Sequence, residues 1–295
     1  MRLSEIANKI PVEIVRDGEF ESLGLMTYDN PRQLGYIEDA KYLPALVTKP
    51  NVACVIGTQD LASLVPQRIG LAVSEIPRKA FFEIHNYLAQ NTDFYWKSFD
   101  TKIAGTARIH PTAYVAQKNV RIGQRCEVGP NASILENSIL KSDVIIRAGS
   151  VIGTEGFEFE RIGEETMRVV HAGGVSIHRR VEIQANCCVS KAVFGGFTKI
   201  GEDTKLDNLV HVAHGVVIGK RCLLAACAMI AGSVTIGDDV WVGPSASISS
   251  EVVIGDGALV TIGSVVTKDV APGQRVTGNF AIDHDRFIEF LKTIR

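Results

Sequence analysis

An aspartate and two histidines lie close together in residues 205–219, which read KLDNLVHVAHGVVIG. These are Asp207, His211 and His214. A histidine has an unperturbed pKa of about 6.5, so a neutral imidazole is available as a general base near neutral pH. A carboxylate can orient such a ring and stabilise the imidazolium that forms. The segment therefore indicates proton-transfer chemistry, and the elements that hold it decide the reaction.

The segment belongs to an internal repeat of six residues. Every sixth residue from Ile200 to Val266 is aliphatic, and the residue four positions after each, as far as Ser264, is small or β-branched. An α-helix repeats at 3.6 residues and a strand at 2, so neither sustains a period of six. A chain that turns a corner after every six residues does sustain such a period. The repeat predicts a mainly β protein built as a coil.

The repeat divides the chain. It runs through residues 105–272 and is interrupted at 154–174 and 191–199, which we expect to leave the coil as loops on a binding side. Residues 1–104 read instead as a small α/β domain, with strands at 52–56 and 69–73 and helices at 4–9, 42–47 and 77–90. Residues 273–295 form a C-terminal extension in which 285–294 is predicted to be a cap helix.

Composition narrows the class of protein. The chain has 295 residues, 46% of them hydrophobic, and a net charge of -2. This composition excludes a disordered chain and does not supply the basic surface that nucleic-acid binding requires. No apolar run reaches the ~18–20 residues of a transmembrane helix, and the first residues do not resemble a secretion signal. Six cysteines without a CxxC pair indicate reduced thiols and no zinc motif. We therefore expect a cytoplasmic protein.

The six-residue repeat resembles that of the hexapeptide acyltransferases, which form left-handed parallel β-helices. The resemblance implies a triangular prism with three hexads, hence about eighteen residues, per coil. Within this class, DNLVHVAHGVVIG is most similar to the UDP-3-O-acylglucosamine N-acyltransferases of lipid A synthesis. That family implies transfer of an acyl group from acyl-CoA or an acyl carrier protein to the amine of a UDP-linked amino sugar, in lipopolysaccharide or related glycan synthesis. It also implies a homotrimer with sites at the subunit interfaces and no tightly bound cofactor.

The resemblance assigns roles to residues of the repeat. It makes His214 the general base, Asp207 its partner, and Gly232, one coil beyond the histidine, the N–H donor to the oxyanion. Asn208 and His211 are expected to bind the acceptor substrate. These five residues define the predicted catalytic site.

The acyl donor is expected to lie beside the same histidine. His214 comes two residues after inward-facing Val212, so it points outward at a corner or flank. Gly232 and Ser250 follow one and two coils later. Small residues stacked above the histidine would leave a groove for an extended thioester arm. The competing interpretation is a solvated surface histidine.

The resemblance extends into the N-terminal region. Residues 33–43, QLGYIEDAKYL, are similar to the uridine-binding segment of the family, which places Tyr36 and Tyr42 on the base. A flat aromatic face suits a nucleobase, and such stacking contributes ~1–3 kcal/mol per base in nucleic-acid sites. Packing of both tyrosines within a small sheet is the alternative.

Departures from the family pattern leave other functions open. His211 replaces a glutamine, Glu251 replaces a second histidine, and Val265–Ala281 resembles the ending of sugar acetyltransferases. An acetyl-CoA-dependent N-acetyltransferase of another nucleotide-linked amino sugar is therefore the first alternative. A zinc hydratase on the same fold would recruit His178, His211 and His214. A non-catalytic nucleotide-sugar binding protein would need only the tyrosines.

Overall fold

The computed structural model describes residues 1–278 and 283–293. The chain packs into two compact units. The N-terminal unit comprises Met1–Phe99, Glu155–Gly174 and Lys191–Phe197, and the prism comprises Asp100–Thr154, Val175–Ser190 and Thr198–Arg295. The expected boundary after residue 104 thus lies inside the prism, whose first strand is Lys102–Ile103. The two expected loops belong almost entirely to the N-terminal unit.

The N-terminal unit contains a five-stranded sheet of order β1-β5-β4-β3-β2, in which β1 is antiparallel and the others are parallel. Its strands are β1 Glu13–Arg16, β2 Ser22–Leu23, β3 Gln33–Tyr36, β4 Val52–Gly57 and β5 Gly70–Val73. Its helices are α1 Leu3–Ala7, α2 Leu43–Thr48 and α3 Pro77–Asn91, with short 3-10 turns at Ala40–Tyr42 and Ala62–Leu64. Strand β5 is buried throughout and β4 nearly so, as expected for parallel strands covered on both faces.

Helix α3 carries a histidine into the core of this unit. Proline at its first turn starts the helix, and Phe81, Ile84 and Leu88 are fully buried. His85 is also buried, with Nδ1 2.7 Å from the Tyr95 hydroxyl and Nε2 2.6 Å from the Val170 carbonyl oxygen. Burial lowers the pKa of His85 to about 4. The imidazole is therefore a neutral packing group.

The first interruption of the repeat forms an antiparallel hairpin, Phe159–Ile162 with Glu165–Arg168. We call it the insertion hairpin. Its base is held by Glu155, whose carboxylate lies 2.7 Å from Lys191 Nζ and 3.3 Å from His171 Nδ1. Burial alone would raise the pKa of Glu155, but hydrogen bonds from His171 and Lys191 hold it well below its usual range. This carboxylate thus ties both interruptions together inside the N-terminal unit.

The prism is built from three parallel sheets visited in turn by the chain. The first sheet contains Lys102–Ile103, Val120–Ile122, Ser138–Leu140, Gly174–Ile177, Phe197–Ile200, Val217–Ile218, Thr235–Ile236 and Val253–Ile254. The second contains Arg108–Ile109, Glu127–Val128, Ile145–Ile146, Glu182–Ile183, Lys205–Leu206, Leu223–Leu224, Trp241–Val242, Leu259–Val260 and Arg275–Val276. The third contains Tyr114–Val115, Ser133–Ile134, Val151–Thr154, Cys188–Ser190, His211–Val212, Met229–Ile230, Ser247–Ile248 and Val265–Val266. This is a left-handed parallel β-helix, as predicted.

The register of the coils matches the hexad arithmetic. Leu206 pairs with Leu224, so eighteen residues separate equivalent positions in uninterrupted coils. In the two-residue strands of the prism the second residue, such as Leu206 or Leu224, points inward. These aliphatic side chains form one continuous core along the prism axis. Cys126, Cys187 and Cys222 are buried in that core and pack among the aliphatic side chains.

Charged residues line the corner between the first and second sheets. Six residues in left-handed backbone conformation alternate in charge along it: Arg125, Asp143, Arg180, Asp203, Arg221 and Asp239. Each arginine binds the next aspartate through two nitrogens, at 2.6 and 2.8 Å for the first pair. We call this column the charge ladder. It links neighbouring coils where the turns leave the sheets.

The C-terminal helix α4 spans His284–Thr293. None of its described side chains is buried, so packing of this helix as a cap is not seen within the chain. Ile294, placed on its apolar stripe by the sequence, lies outside the described residues. Over the part of the chain that the structure describes, no helix is long and apolar enough to cross a bilayer.

Candidate active site

His214 occupies the corner between the third and first sheets. It follows the strand His211–Val212 and opens a turn completed by Gly215, which adopts a left-handed φ of 68°. The Gly215 N–H donates to Thr198 Oγ1 at 2.9 Å, and the His214 carbonyl accepts from the Ser233 N–H at 2.9 Å. These bonds fix the backbone of the turn, and the imidazole is half-buried on the outside of the prism.

The imidazole of His214 lies directly against Gly232. A Cβ at position 232 would lie 2.5 Å from both Nε2 and Cε1 of the ring. No side chain larger than hydrogen fits there without moving the histidine. The eighteen-residue stacking that placed Gly232 beside His214 is thus what the structure shows.

The backbone N–H of Gly232 has the position of a donor to anionic oxygen. At equivalent corner positions, Asn208 N–H donates to Asp207 Oδ1 at 2.7 Å and Lys220 N–H donates to Asp238 Oδ1 at 2.8 Å. In the described chain Gly232 N–H has no such partner, and Ser250 rather than an acid follows it one coil later. A negatively charged oxygen beside His214 can therefore take this donor.

Asp207 lies at a different corner from His214. It ends the second-sheet strand Lys205–Leu206, whereas His214 follows a third-sheet strand. Its carboxylate accepts hydrogen bonds from the backbone N–H and the side-chain amide of Asn208, at 2.7 and 2.9 Å. One side of the prism therefore separates the expected base from its expected partner within a single chain.

A shallow cavity adjoins Asp207. It has a volume of about 310 Å³ and is lined by Asn208, Leu223 and Trp241, among others. Trp241 is 42% exposed and Leu223 is 43% exposed. This surface was not predicted from the sequence. A tryptophan at an outward hexad position, directly before the inward Val242, was the feature that could have indicated it.

His211 and a cysteine share the outer face of the third sheet. Cys188, His211 and Met229 are cross-strand partners in register. Burial, and then the nearby His214, lower the pKa of His211. Burial also raises the pKa of Cys188, so its thiol stays protonated at neutral pH. The second interruption hid the pairing of Cys188 with His211 from the sequence, because it separates them by 23 residues instead of the eighteen of an uninterrupted coil.

Tyr36 and Tyr42 lie in the N-terminal unit. Tyr36 ends β3 and packs on Phe81, with ring centroids 5.1 Å apart. Burial, together with Glu160, raises its pKa to about 12. Tyr42 is 41% exposed, with Lys41 Nζ 5.1 Å from its ring centroid. Only Tyr42 offers an open aromatic face, so the two rings differ in how far packing already uses them.

Two charged residues beside Tyr36 were not anticipated. Glu160, from the insertion hairpin, lies 3.6 Å from Arg78 at the start of α3. The Arg78 backbone N–H also donates to Glu38 at 3.1 Å. This grouping could not be predicted from local sequence patterns because Glu160 is distant in the chain from Glu38 and Arg78. Within the described residues, no set of three or more His, Cys, Asp or Glu side chains has the arrangement of a metal site.

Comparison with known proteins defines the class of protein. The family model for the bacterial transferase hexapeptide (six repeats) matches residues 119–154 and 197–232. Among solved structures, a UDP-N-acetylglucosamine acyltransferase from Campylobacter jejuni superimposes with a TM-score of 0.51 at 22% identity, covering 66% of this chain and 81% of that one. A Francisella novicida enzyme of the same name gives 0.50 at 21% identity, over 60% and 65% of the two chains. These structures share the fold, and together with the family match they define a hexapeptide-repeat protein with a left-handed parallel β-helix.

Sequence relatives identify the family more narrowly. A Legionella pneumophila protein named UDP-3-O-acylglucosamine N-acyltransferase 2 is 33% identical, covering 99% of this chain and 93% of its own. A Helicobacter pylori UDP-3-O-acylglucosamine N-acyltransferase is 30% identical over 79% and 75% of the two chains. The chain belongs to the UDP-3-O-acylglucosamine N-acyltransferase family and is an N-acyltransferase.

Proposed function

We propose that this enzyme transfers an acyl group from a thioester to the amine of a UDP-linked amino sugar, in the synthesis of lipid A or a related surface glycan. The observation that carries the proposal is the contact of the His214 ring with Gly232. In this contact an imidazole that can serve as a general base lies beside a backbone N–H that has no described partner, and both are on the outside of the prism. The names of the relatives support N-acylation of a UDP-linked amino sugar.

The reaction follows from these two groups. Neutral His214 takes a proton from the amine as the nitrogen attacks the thioester carbonyl carbon. The carbonyl oxygen becomes negatively charged and accepts the Gly232 N–H, a contribution of about 3 kcal/mol in comparable sites. When the tetrahedral intermediate collapses, the C–S bond breaks and the imidazolium returns its proton to the thiolate. The amine is itself the nucleophile, so no covalent enzyme intermediate is needed.

Asp207 acts in this proposal from a neighbouring subunit. Within one chain it belongs to another corner, so it reaches a histidine only if two prisms lie side by side. A homotrimer of closed symmetry pairs each His214 corner with the Asp207 corner of the next subunit. The exposed Leu223 and Trp241 beside Asp207 suit burial at such an interface. Three equivalent sites result.

The other residues of the proposed site contact the nucleotide sugar and the acyl donor. Tyr42 and Tyr36 hold the uracil ring, and Asn208 and His211 contact the amino sugar. The thioester arm of acyl-CoA or an acyl carrier protein passes the small column of Gly232 and Ser250. The donor is a co-substrate, and no tightly bound cofactor or metal is part of the reaction. The six free cysteines suit a reducing cytoplasm.

Replacement of His214 tests the proposal. The side chain lies outside the prism core, so His214→Ala should keep the melting temperature near that of the wild type. Turnover should fall by ~10²–10⁴-fold because the base is lost. The measurement is single-turnover acyl transfer with saturating donor and amine. Wild-type rates for this variant would refute the catalytic assignment.

Two further variants serve as matched comparisons. His211→Ala should change the KM for the amino sugar more than the chemical step. Asp207→Asn should fall between His211→Ala and His214→Ala in turnover, because it removes the charge that favours imidazolium and nearly keeps the shape.

A further inference from the structure

A groove far from the His214 corner collects positive charge. It lies where the chain leaves the first sheet for the second, near the N-terminal end of the prism, and has a volume of about 590 Å³. Its charged lining consists of Lys102, Arg121, Lys141, His178, Arg179 and Glu202. We call it the basic groove. Its single carboxylate, that of Glu202, already lies 2.6 Å from an Arg180 nitrogen outside the lining.

Two lysines of the basic groove differ from the arginines of the adjoining charge ladder. Each ladder arginine is bound to an aspartate. Lys102 and Lys141, by contrast, form no ion pair with any residue that the structure describes. Since the whole chain carries a net charge of -2, this local excess is not a general basicity of the protein. Such a concentration of one sign of charge in a concave site attracts an anion.

The pKa of a histidine at the groove is affected by nearby lysines. Burial, followed by Lys141, Lys199 and Lys220, lowers the pKa of His178. Glu202 acts in the opposite direction, so the pKa is lowered first by burial and then by the excess of lysines over carboxylates near His178.

The groove also has apolar surface. Ile103 is 45% exposed at the open first coil, and Ile139 is half-buried on the outer face of the first sheet. Its volume falls within the ~300–1,000 Å³ typical of small-molecule sites. A bare anion would not need the apolar part, and a pure hydrocarbon would not need the cations. Both are used by a molecule that has a charged head and a chain.

We propose that the basic groove binds an amphiphile that carries a phosphate on a hydrocarbon chain. Lys102, Arg121 and Lys141 hold the phosphate, and Ile103 and Ile139 receive the first carbons of the chain. The corner is neither that of His214 nor that of Asp207. The groove therefore remains exposed in the homotrimer, a point that rests on the proposed function.

The test is calorimetric titration of the full chain with dodecyl phosphate below its micelle concentration, and with inorganic phosphate. Dodecyl phosphate should bind at least about tenfold more tightly than inorganic phosphate, and Lys141→Glu should weaken it by about tenfold or more. Lys118→Glu, which reverses an exposed lysine of the prism outside the groove, should leave the affinity within about twofold. Added salt should weaken binding because the contact is ionic.

Vesicles distinguish the source of the amphiphile. Sedimentation with phosphatidylcholine vesicles containing phosphatidylglycerol, abolished by Lys141→Glu, would identify a membrane lipid. Binding of the monomeric amphiphile alone would identify a soluble one, and either result supports the site. Equal affinity for inorganic and dodecyl phosphate, no binding of either, or binding that Lys141→Glu leaves intact would overturn it.

Acyl transfer gives an independent readout. Lys141 has no place in the proposed reaction, so Lys141→Glu should keep turnover within about twofold of wild type. Loss of amphiphile binding with normal turnover therefore separates this proposal from that for the His214 site.

Discussion

At the scale of single residues, the site depends on a glycine as much as on a histidine. The ring of His214 rests on Gly232, and in the proposed reaction the same glycine offers its N–H to the developing oxyanion. The ring contact requires the missing side chain. The corner can therefore be damaged without changing any titratable group.

Gly232→Ala tests this dependence. The new methyl group would meet Nε2 and Cε1 of His214 and displace the ring, and misplacement by about 1 Å can cost ~10²-fold in rate. We expect single-turnover acyl transfer to fall by about that factor. Gly105→Ala is the matched control, since a Cβ there meets nothing within 4 Å. Equal rates for the two variants would show that the His214 ring does not need this position.

Replacement of the two tyrosines should have different effects, because their rings are packed to different extents. Tyr42 is exposed, so Tyr42→Ala should raise the KM for the nucleotide sugar and weaken UDP binding by ~5–150-fold, the equivalent of ~1–3 kcal/mol of stacking. Tyr36→Ala should weaken UDP as well but also lower the melting temperature, because its ring packs on Phe81. Calorimetry with UDP measures both. Tyr114→Ala, an exposed tyrosine of the prism, is the control, and unchanged UDP affinity in Tyr42→Ala would end the assignment.

At the scale of elements, the buried histidine of α3 makes the N-terminal unit sensitive to acid. The unfolded chain binds a proton at His85 with a pKa of about 6.5, whereas the folded chain does so only near 4. Because the unfolded state takes up more protons, the free energy of unfolding should fall as the pH drops from about 6.5 to 4. The loss should approach ~3 kcal/mol below that range.

Trp96 fluorescence measures this loss in a Trp241→Phe background, since Trp96 is then the single tryptophan of the chain. Denaturant unfolding at pH 7 and pH 4 should show the difference. His85→Gln should reduce it, and His110→Gln, at an exposed histidine of the prism, should not. An undiminished pH dependence in His85→Gln would assign the effect to other groups.

The elements also show what the sequence carried and what it did not. The hexads predicted the coil, its inward aliphatics and the stacking of Gly232 on His214, because all three follow from a strict local period. The relation of Asp207 to His214 was suggested by resemblance, yet seven residues in a hexad coil reach past a corner to the next side. The attachment of the insertion hairpin could not be predicted, since it depends on distant contacts such as Lys191 with Glu155. The charge ladder left a signal that was overlooked, an Arg or Asp every eighteen residues within the uninterrupted coils, at 125 and 143 and again at 203, 221 and 239.

At the scale of the whole molecule, the proposed site is shared between subunits. Subunits carrying His214→Ala and subunits carrying Asp207→Ala should each be poorly active alone. If assembled together at random in equal amounts, about one site in four would combine an intact His214 with a neighbour's intact Asp207. Acyl transfer by the co-expressed mixture should therefore recover to about a quarter of the wild-type rate.

Light scattering of the wild-type protein at micromolar concentration accompanies this test and should give the mass of a trimer. A monomer, or a mixture no more active than its separate components, would show that Asp207 does not complete the site from a neighbouring chain.

The eighteen-residue register has a consequence for how the chain can change in length. Six inserted residues would advance every later position by a third of a turn and carry His214 from its corner to the next. A whole inserted coil would leave its bearing unchanged and move it along the axis by one strand spacing, about 4.8 Å. The length of the prism can therefore change only by whole coils of eighteen residues if the His214 corner is to keep its orientation. Insertions and deletions in proteins descended from this sequence should accordingly come in that unit.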